Sequence, residues 1–339
     1  MGDASRKRTV RGRKIRASRE QKAGRKAKKE LARKASNAGE RNGDSPLADP
    51  EEVRPATFVE TDAVKALQER ITGWLEAEQP VHLLGPTGCG KTALALSVAA
   101  ERDRPVVWIN GDDAVDTAAL VGDHAGGERY TEDDRFVSGV SKQTEIVRER
   151  WVDNPLSVAV REGATLVYNE FSRSDPAAHN VLLSVFEEGV LERPGKRGED
   201  RTIDVHPEFR AILTSNDTEY AGVHEQQDAL LDRFVGVHVD YYDAETEREI
   251  VRAHVDLSDD DIATVVETTR ALRDDLEIVV GTRAAITAAK GLAVFDGHDA
   301  DAFAEETLAN VFTDVLAPKV AGDDGGDIDD LRAQLSETI

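Results

Sequence analysis

Residues Gly85, Pro86, Thr87, Gly88, Cys89, Gly90, Lys91 and Thr92 follow the pattern G-x-x-x-x-G-K-[ST]. An apolar run at 81–84 precedes them, and an apolar helical segment is expected from 91 to 102. That context predicts a loop whose backbone N–H groups close around phosphate oxygens, at a helix N-terminus whose dipole adds to the attraction. Lys91 is placed to reach the β- and γ-phosphates of a nucleotide, and Thr92 to bind its metal. Cys89 is the single cysteine, so no internal disulfide forms, and it reads as a small loop residue.

A second apolar run, Thr165-Leu166-Val167-Tyr168, ends in Asn169 and Glu170. Phosphate-transfer sites of this kind place an Asp there to support Mg²⁺, and a Glu to activate the attacking water. Here the Asp position is Asn169. An amide oxygen accepts a hydrogen bond from a metal-bound water but brings no charge. Glu170 is the candidate general base, because polarising water needs a carboxylate within hydrogen-bond reach. Three further polar signals follow. Ile212-Leu213-Thr214-Ser215 is an apolar run closed by Asn216. Leu230-Leu231-Asp232-Arg233-Phe234 puts an arginine at the end of an apolar helix. Gly281-Thr282-Arg283 opens another helix.

Taken in order, these segments resemble an AAA+ sequence. The resemblance implies that Asn216 is the sensor that orients water and γ-phosphate. It implies that Arg233 is the arginine finger that reaches a neighbouring subunit's nucleotide, and that Arg283 is the second sensor. The stretch 162–234 is similar to the MoxR branch: Gly163, N-E-F-S-R-S at 169–174, N-V-L-L-S-V-F-E-E-G at 180–189, then T-S-N and L-L-D-R-F. Within that branch the chain resembles the gas vesicle protein N family in its haloarchaeal form. The Y-N-E-F-S-R-S wording, a basic arm beginning S-R-K-R-T-V-R-G-R-K-I-R and the acidic composition carry that likeness. The AAA+ part of it covers about 57–320. It implies an accessory ATPase that uses ATP and Mg²⁺, works as a homo-oligomeric ring (a hexamer) and remodels other gas vesicle proteins during vesicle assembly or enlargement. A generic MoxR-type chaperone that matures a metal-binding partner is the alternative. A nucleic-acid-associated AAA+ protein and a module that holds ATP without hydrolysing it are the others.

Elements must hold these residues. Short apolar runs at 81–84, 106–109, 165–168, 211–214 and 235–239 predict strands. Segments near 62–77, 91–102, 142–152, 176–188 and 226–233 predict helices. The fold class is therefore α/β: a three-layer P-loop AAA+ core with a mostly parallel sheet. Helices at 244–256, 258–274, 283–295 and 299–316, with no strand run between them, predict a small helical lid domain. The expected boundaries are a disordered basic arm over 1–45, the core over 46–240, the lid over 241–320, and an acidic linker with a C-terminal helix over 321–339. Pro46, Pro50 and Pro55 mark a linker, and 322–326 is rich in Gly and Asp. The arm segment 18–35 becomes helical on an acidic surface. Arg173 either faces a neighbouring subunit or caps the next helix, and the cap is the favoured reading. Tyr130 and Arg135 fall in a polar stretch that is a substrate loop or an ordinary surface loop. Trp108 and Trp151 read as core residues.

The net charge is −23, from 66 acidic and 43 basic residues. Residues 1–41 hold 16 Lys/Arg and four acids, which leaves the rest of the chain at −35. Only six lysines occur from residue 42 onward. Such a surface suits a salt-saturated cytoplasm, where the Debye length is about 3 Å and self-repulsion is weak. The arm lacks interleaved aromatics and the body repels nucleic acid, so an acidic protein surface is the expected partner of the arm. The sequence shows no signal peptide and no run long enough to span a bilayer, so a cytoplasmic, gas vesicle associated protein is expected.

Overall fold

Five runs of aliphatic and β-branched residues form the centre of the fold. The computed structural model describes residues 45–134, 142–216, 228–295, 305–320 and 328–338. The basic arm up to residue 44, Arg135 and the linker at 322–326 lie outside the described residues. From Pro46 onward the chain forms one unit.

The chain enters through β1 (Leu47–Ala48), α1 (Pro50–Val53) and α2 (Asp62–Glu76). Thr61 caps α2 by accepting from Val64 N. Then come β2 (Val81–Gly85), α3 (Lys91–Glu101), β3 (Val106–Asn110) and α4 (Thr117–Val121). A long hairpin of β4 (Gly122–Asp134) and β5 (Lys142–Asp153) leads to α5 (Pro155–Glu162) and β6 (Thr165–Asn169). Two 3₁₀ turns follow, then α6 (Asn180–Glu187), the small hairpin β7 (Val190–Glu192) and β8 (Thr202–Asp204), β9 (Arg210–Asn216), α7 (Asp228–Leu231) and β10 (Val235–His238).

The main sheet has the order β1-β3-β6-β9-β2-β10. β3, β6, β9, β2 and β10 run parallel, and β1 is an antiparallel edge. Side chains alternate between two faces, as the strand repeat of two requires. Leu166, Tyr168, Ala211 and Leu213 join a core with α4, α5 and α6. Val81, Leu83, Val167, Ile212 and Val237 join another with α2 and α3. Each fully buried aliphatic side chain stabilises by about 1.5–3 kcal/mol. Helices on both faces of the sheet make the three layers.

After β10 the chain is helical: α8 (Ala244–Arg252), α9 (Asp259–Asp275), α10 (Thr282–Phe295), α11 (Glu305–Val320) and α12 (Ile328–Thr338). Asp243 and Ser258 cap α8 and α9. These helices share a third core, centred on Val265, Val266, Leu272, Ala288, Leu292 and Phe312.

Three expectations need correction. The segment 142–152 is not a helix but β5, laddered against β4 from Gly122↔Asp153 to Asp134↔Lys142. The proline-marked linker is ordered in part, because Leu47 and Ala48 pair with Val107 and Val106. Trp108 is 45% exposed, between the buried Val107 and Ile109 of β3. Trp151, by contrast, packs partly buried against the first core. Among the described residues no helix is long and apolar enough to cross a membrane.

Candidate active site

Parallel strands deliver their C-terminal ends to one edge of the sheet, and the chemistry-bearing residues collect there. β2 ends in Gly85 beside Asn216 of β9, in register. Gly85 has no room for a side chain: a Cβ would lie 1.9 Å from Val239 O. Gly88 (φ 83°) and Gly90 (φ 97°) turn the loop through left-handed backbone, and Gly90 is the N-cap of α3. The 85–92 loop therefore ends on the open N–H groups of a helix. Cys89 is buried beneath it, with its thiol on Val239 O at 3.3 Å.

Lys91 is 6% exposed. Its Nζ donates to Gly85 O at 2.8 Å, Pro86 O at 2.7 Å and Asn216 Oδ1 at 3.1 Å. These three acceptors are neutral oxygens. Asn216 thus sits against the loop lysine.

Thr92 donates to Asn169 Oδ1 at 2.5 Å, and Thr214 donates to the same oxygen at 2.9 Å. Asn169 Nδ2 donates to Asn110 Oδ1 at 3.0 Å. Two hydroxyls and one acceptor fix the amide with its oxygen toward Thr92. Asn110 is opposite Asn169 in the β3–β6 ladder. The next residue, Glu170, adopts left-handed backbone (φ 52°, ψ 41°), which is unusual for a residue with a side chain. Its N–H is held by Thr214 Oγ1 at 3.1 Å. Gly111 lets this turn form, because a Cβ there would meet Glu170 O at 2.2 Å. The Glu170 carboxylate pairs with Arg173 at 2.8 Å. The N-cap of the following 3₁₀ turn is Asp175, which accepts from Ala177 N, and not Arg173.

Arg233 lies elsewhere. Val235 is opposite Val81, at the start of β2, so Arg233 is at the opposite edge of the sheet from the loop. It forms an ion pair with Glu187 of α6. Arg283 is exposed at the start of α10. A Cβ on Gly88 would lie 3.4 Å from Gly281 Cα and 3.7 Å from Arg283 Cβ, so the chain carrying Arg283 packs on the loop. Of the sequence-expected residues, Lys91, Thr92, Asn169, Glu170, Asn216 and Arg283 come together and Arg233 does not. Asn110, Thr214 and Gly111 were missed, although Asn110 closes an apolar strand just as Asn169 and Asn216 do.

Residues 80–234 match the AAA domain family, dynein-related subfamily. The Halobacterium salinarum gas vesicle ATPase GvpN2 is 56% identical over 348 residues, covering 100% of this chain and 98% of that protein. The chain belongs to the gas vesicle ATPase GvpN family. It is an AAA-domain ATPase, with a mostly parallel sheet and a helical C-terminal region. The Haloferax mediterranei GvpN is also 56% identical, over 349 residues, with 100% and 98% coverage. Among solved structures, a variant of Thermotoga maritima RuvB shares 17% identity over 83% of this chain and 76% of that one, with a TM-score of 0.49.

Proposed function

We propose that the 85–92 loop binds ATP with Mg²⁺, and that its hydrolysis drives remodelling of other gas vesicle proteins during vesicle assembly or enlargement. The observation that carries this reading is the convergence of Lys91, Thr92, Asn169, Glu170 and Asn216 at the C-terminal edge of one sheet. The gas vesicle part rests on family membership.

The loop N–H groups and Lys91 take the β- and γ-phosphates, with Lys91 exchanging carbonyl partners for phosphate oxygens. Thr92 and Asn169 present a hydroxyl and an amide oxygen 2.5 Å apart, the hard oxygen donors that Mg²⁺ takes alongside phosphates and water. When bound, Mg²⁺ neutralises charge that builds on the phosphate oxygens. No group of three or more His, Cys, Asp or Glu suited to a metal occurs among the described residues, so a metal here relies on substrate and solvent for further ligands. Glu170 accepts the proton of a water as its oxygen attacks the γ-phosphorus, and the bond to the ADP oxygen breaks. Asn216 holds Lys91 and, through it, the γ-phosphate side of the loop.

Arg233 precedes β10, at the opposite edge of the sheet from the loop, and so does not serve its own loop. It completes the site of an adjacent copy in a ring of six, offsetting transition-state charge there. Arg283 brings the lid's charge to the loop. The protein acts in the cytoplasm at the vesicle, and its basic arm meets an acidic protein surface. The test is vesicle formation in cells whose only copy carries Glu170→Gln. Normal vesicles in such cells would sink the proposal that hydrolysis drives assembly.

A further inference from the structure

The lid meets the phosphate loop through side chains that the hydrolysis reading does not use. Tyr241, three residues past β10, donates its hydroxyl to Thr87 O at 3.1 Å. The Arg273 guanidinium of α9 stacks on the Tyr241 ring at 3.8 Å. Arg273 is held in turn by Glu247 at 2.8 Å and by Val280 O at 2.7 Å. Glu247 is 1% exposed and also takes Arg270 at 2.9 Å and the Thr282 hydroxyl at 2.7 Å. One buried carboxylate thus ties α8, α9 and the start of α10 into a rigid support. Burial pushes the Tyr241 phenol up to about 12, so it remains a donor throughout the working pH range.

The acceptor is what makes this contact consequential. In a trans peptide the C=O of one residue and the N–H of the next point in opposite directions. No cis bond occurs among the described residues. Fixing Thr87 O outward on Tyr241 therefore fixes the Gly88 N–H the other way. Gly88 has no side chain and sits at φ 83°, so rotation of this peptide is otherwise cheap. Gly281 crowds the same carbonyl from the lid side, because a Cβ there would lie 2.7 Å from Thr87 O.

We propose that Tyr241 is a positioning residue that latches the Thr87–Gly88 peptide with the Gly88 N–H turned into the phosphate cradle, and that Arg273 on Glu247 holds the latch. The lid thereby sets the affinity of the loop for phosphate with polar groups that are spent on protein partners. This rests on reading 85–92 as the ATP cradle.

The experiment titrates ATP, ADP and adenosine into the full chain and into Tyr241→Phe, Arg273→Lys and Lys91→Ala, alongside steady-state kinetics and melting with and without nucleotide. Tyr241→Phe should raise the Kd for ATP and ADP, and the KM, by roughly 3- to 10-fold, the effect of one hydrogen bond. Its kcat should stay within about twofold, because the donor acts on binding in ground and transition state alike. The nucleotide-free Tm should hold, while the ATP-induced rise in Tm shrinks. Adenosine, which has no phosphate, should bind both chains equally. Arg273→Lys should show the same pattern, more weakly. A wild-type Kd and KM in Tyr241→Phe, with ATP lost in Lys91→Ala, would overturn the latch alone. So would equal losses for ATP and adenosine, or a lowered nucleotide-free Tm with an unchanged Kd. Wild-type ATP affinity in Lys91→Ala would instead overturn the cradle.

Discussion

Asn169 turns its amide oxygen to Thr92 at 2.5 Å and its amide nitrogen to Asn110 at 3.0 Å. An Asp at this position would add a full charge beside the metal site but lose the donor to Asn110. At an effective dielectric of about 20, a unit charge about 5 Å away is worth on the order of 3 kcal/mol before desolvation. Repulsion from Glu170 next in sequence offsets part of that. Asn169→Asp should therefore lower the Mg²⁺ midpoint for ATPase activity and change turnover by no more than about two orders of magnitude. ATPase rate against Mg²⁺ in high potassium chloride is the measurement, and identical midpoints would remove Asn169 from the metal's surroundings.

With Glu170 as the proposed general base, Glu170→Gln should keep ATP affinity and lose at least about 100-fold in kcat, the usual share of such a base. Single-turnover hydrolysis and equilibrium binding separate the two effects. Unchanged hydrolysis would point to another carboxylate.

The position of Arg233 at the far edge of the sheet makes a prediction about assemblies. Arg233→Ala should bind ATP normally and hydrolyse it slowly. Mixed with Glu170→Gln protein it should regain part of the activity, because a shared site then draws its base from one chain and its arginine from the other. Mixed assemblies with no regained activity, both chains being shown to assemble, would place the arginine's role within its own subunit or nowhere.

His82, buried in β2 and bonded to Ser215 at 2.8 Å, sets part of the acid limit. Burial lowers its imidazole from 6.5 to about 4. As pH falls from 6.5 toward 4, the unfolded chain takes up a proton that the folded chain refuses, so stability is lost across that window. The loss is capped at about 3 kcal/mol for this residue. His179, lowered to about 4 mainly by its burial, adds a similar slope. Urea midpoints of the wild type and His82→Leu between pH 7 and 4.5 should show the variant less stable at pH 7 but with a clearly shallower pH dependence. Parallel curves would assign the acid limit to other groups.

The parallel core was readable because its strands are short apolar runs that end in polar groups at one edge, and the loop motif marks that edge. The fate of 142–153 was not. Ile146, Val147, Trp151 and Val152 suit a helical face as well as a strand, and the partner that decides is β4, eight residues upstream of β5 across 135–141. Trp108 misled because an apolar run reports a strand but not which of its side chains stay exposed. The Arg173 ion pair depends on the left-handed turn at Glu170, which Gly111 permits from a different strand. The Glu247 support joins residues up to 35 apart, and no sequence signal singled out Glu247, Arg270 or Arg273.

Lys91 is the residue proposed to hold the phosphates of a hydrolysed nucleotide. The direct measurement is calorimetric titration of ATP into the full chain and into Lys91→Ala, in high potassium chloride with Mg²⁺, with ATP turnover recorded on the same samples. Saturable binding and turnover are expected in the wild type. In Lys91→Ala affinity should fall by at least about 100-fold, as expected when a desolvated charge-assisted contact of about 3 kcal/mol is lost. Equal affinity and equal turnover in the two chains would contradict that role of Lys91.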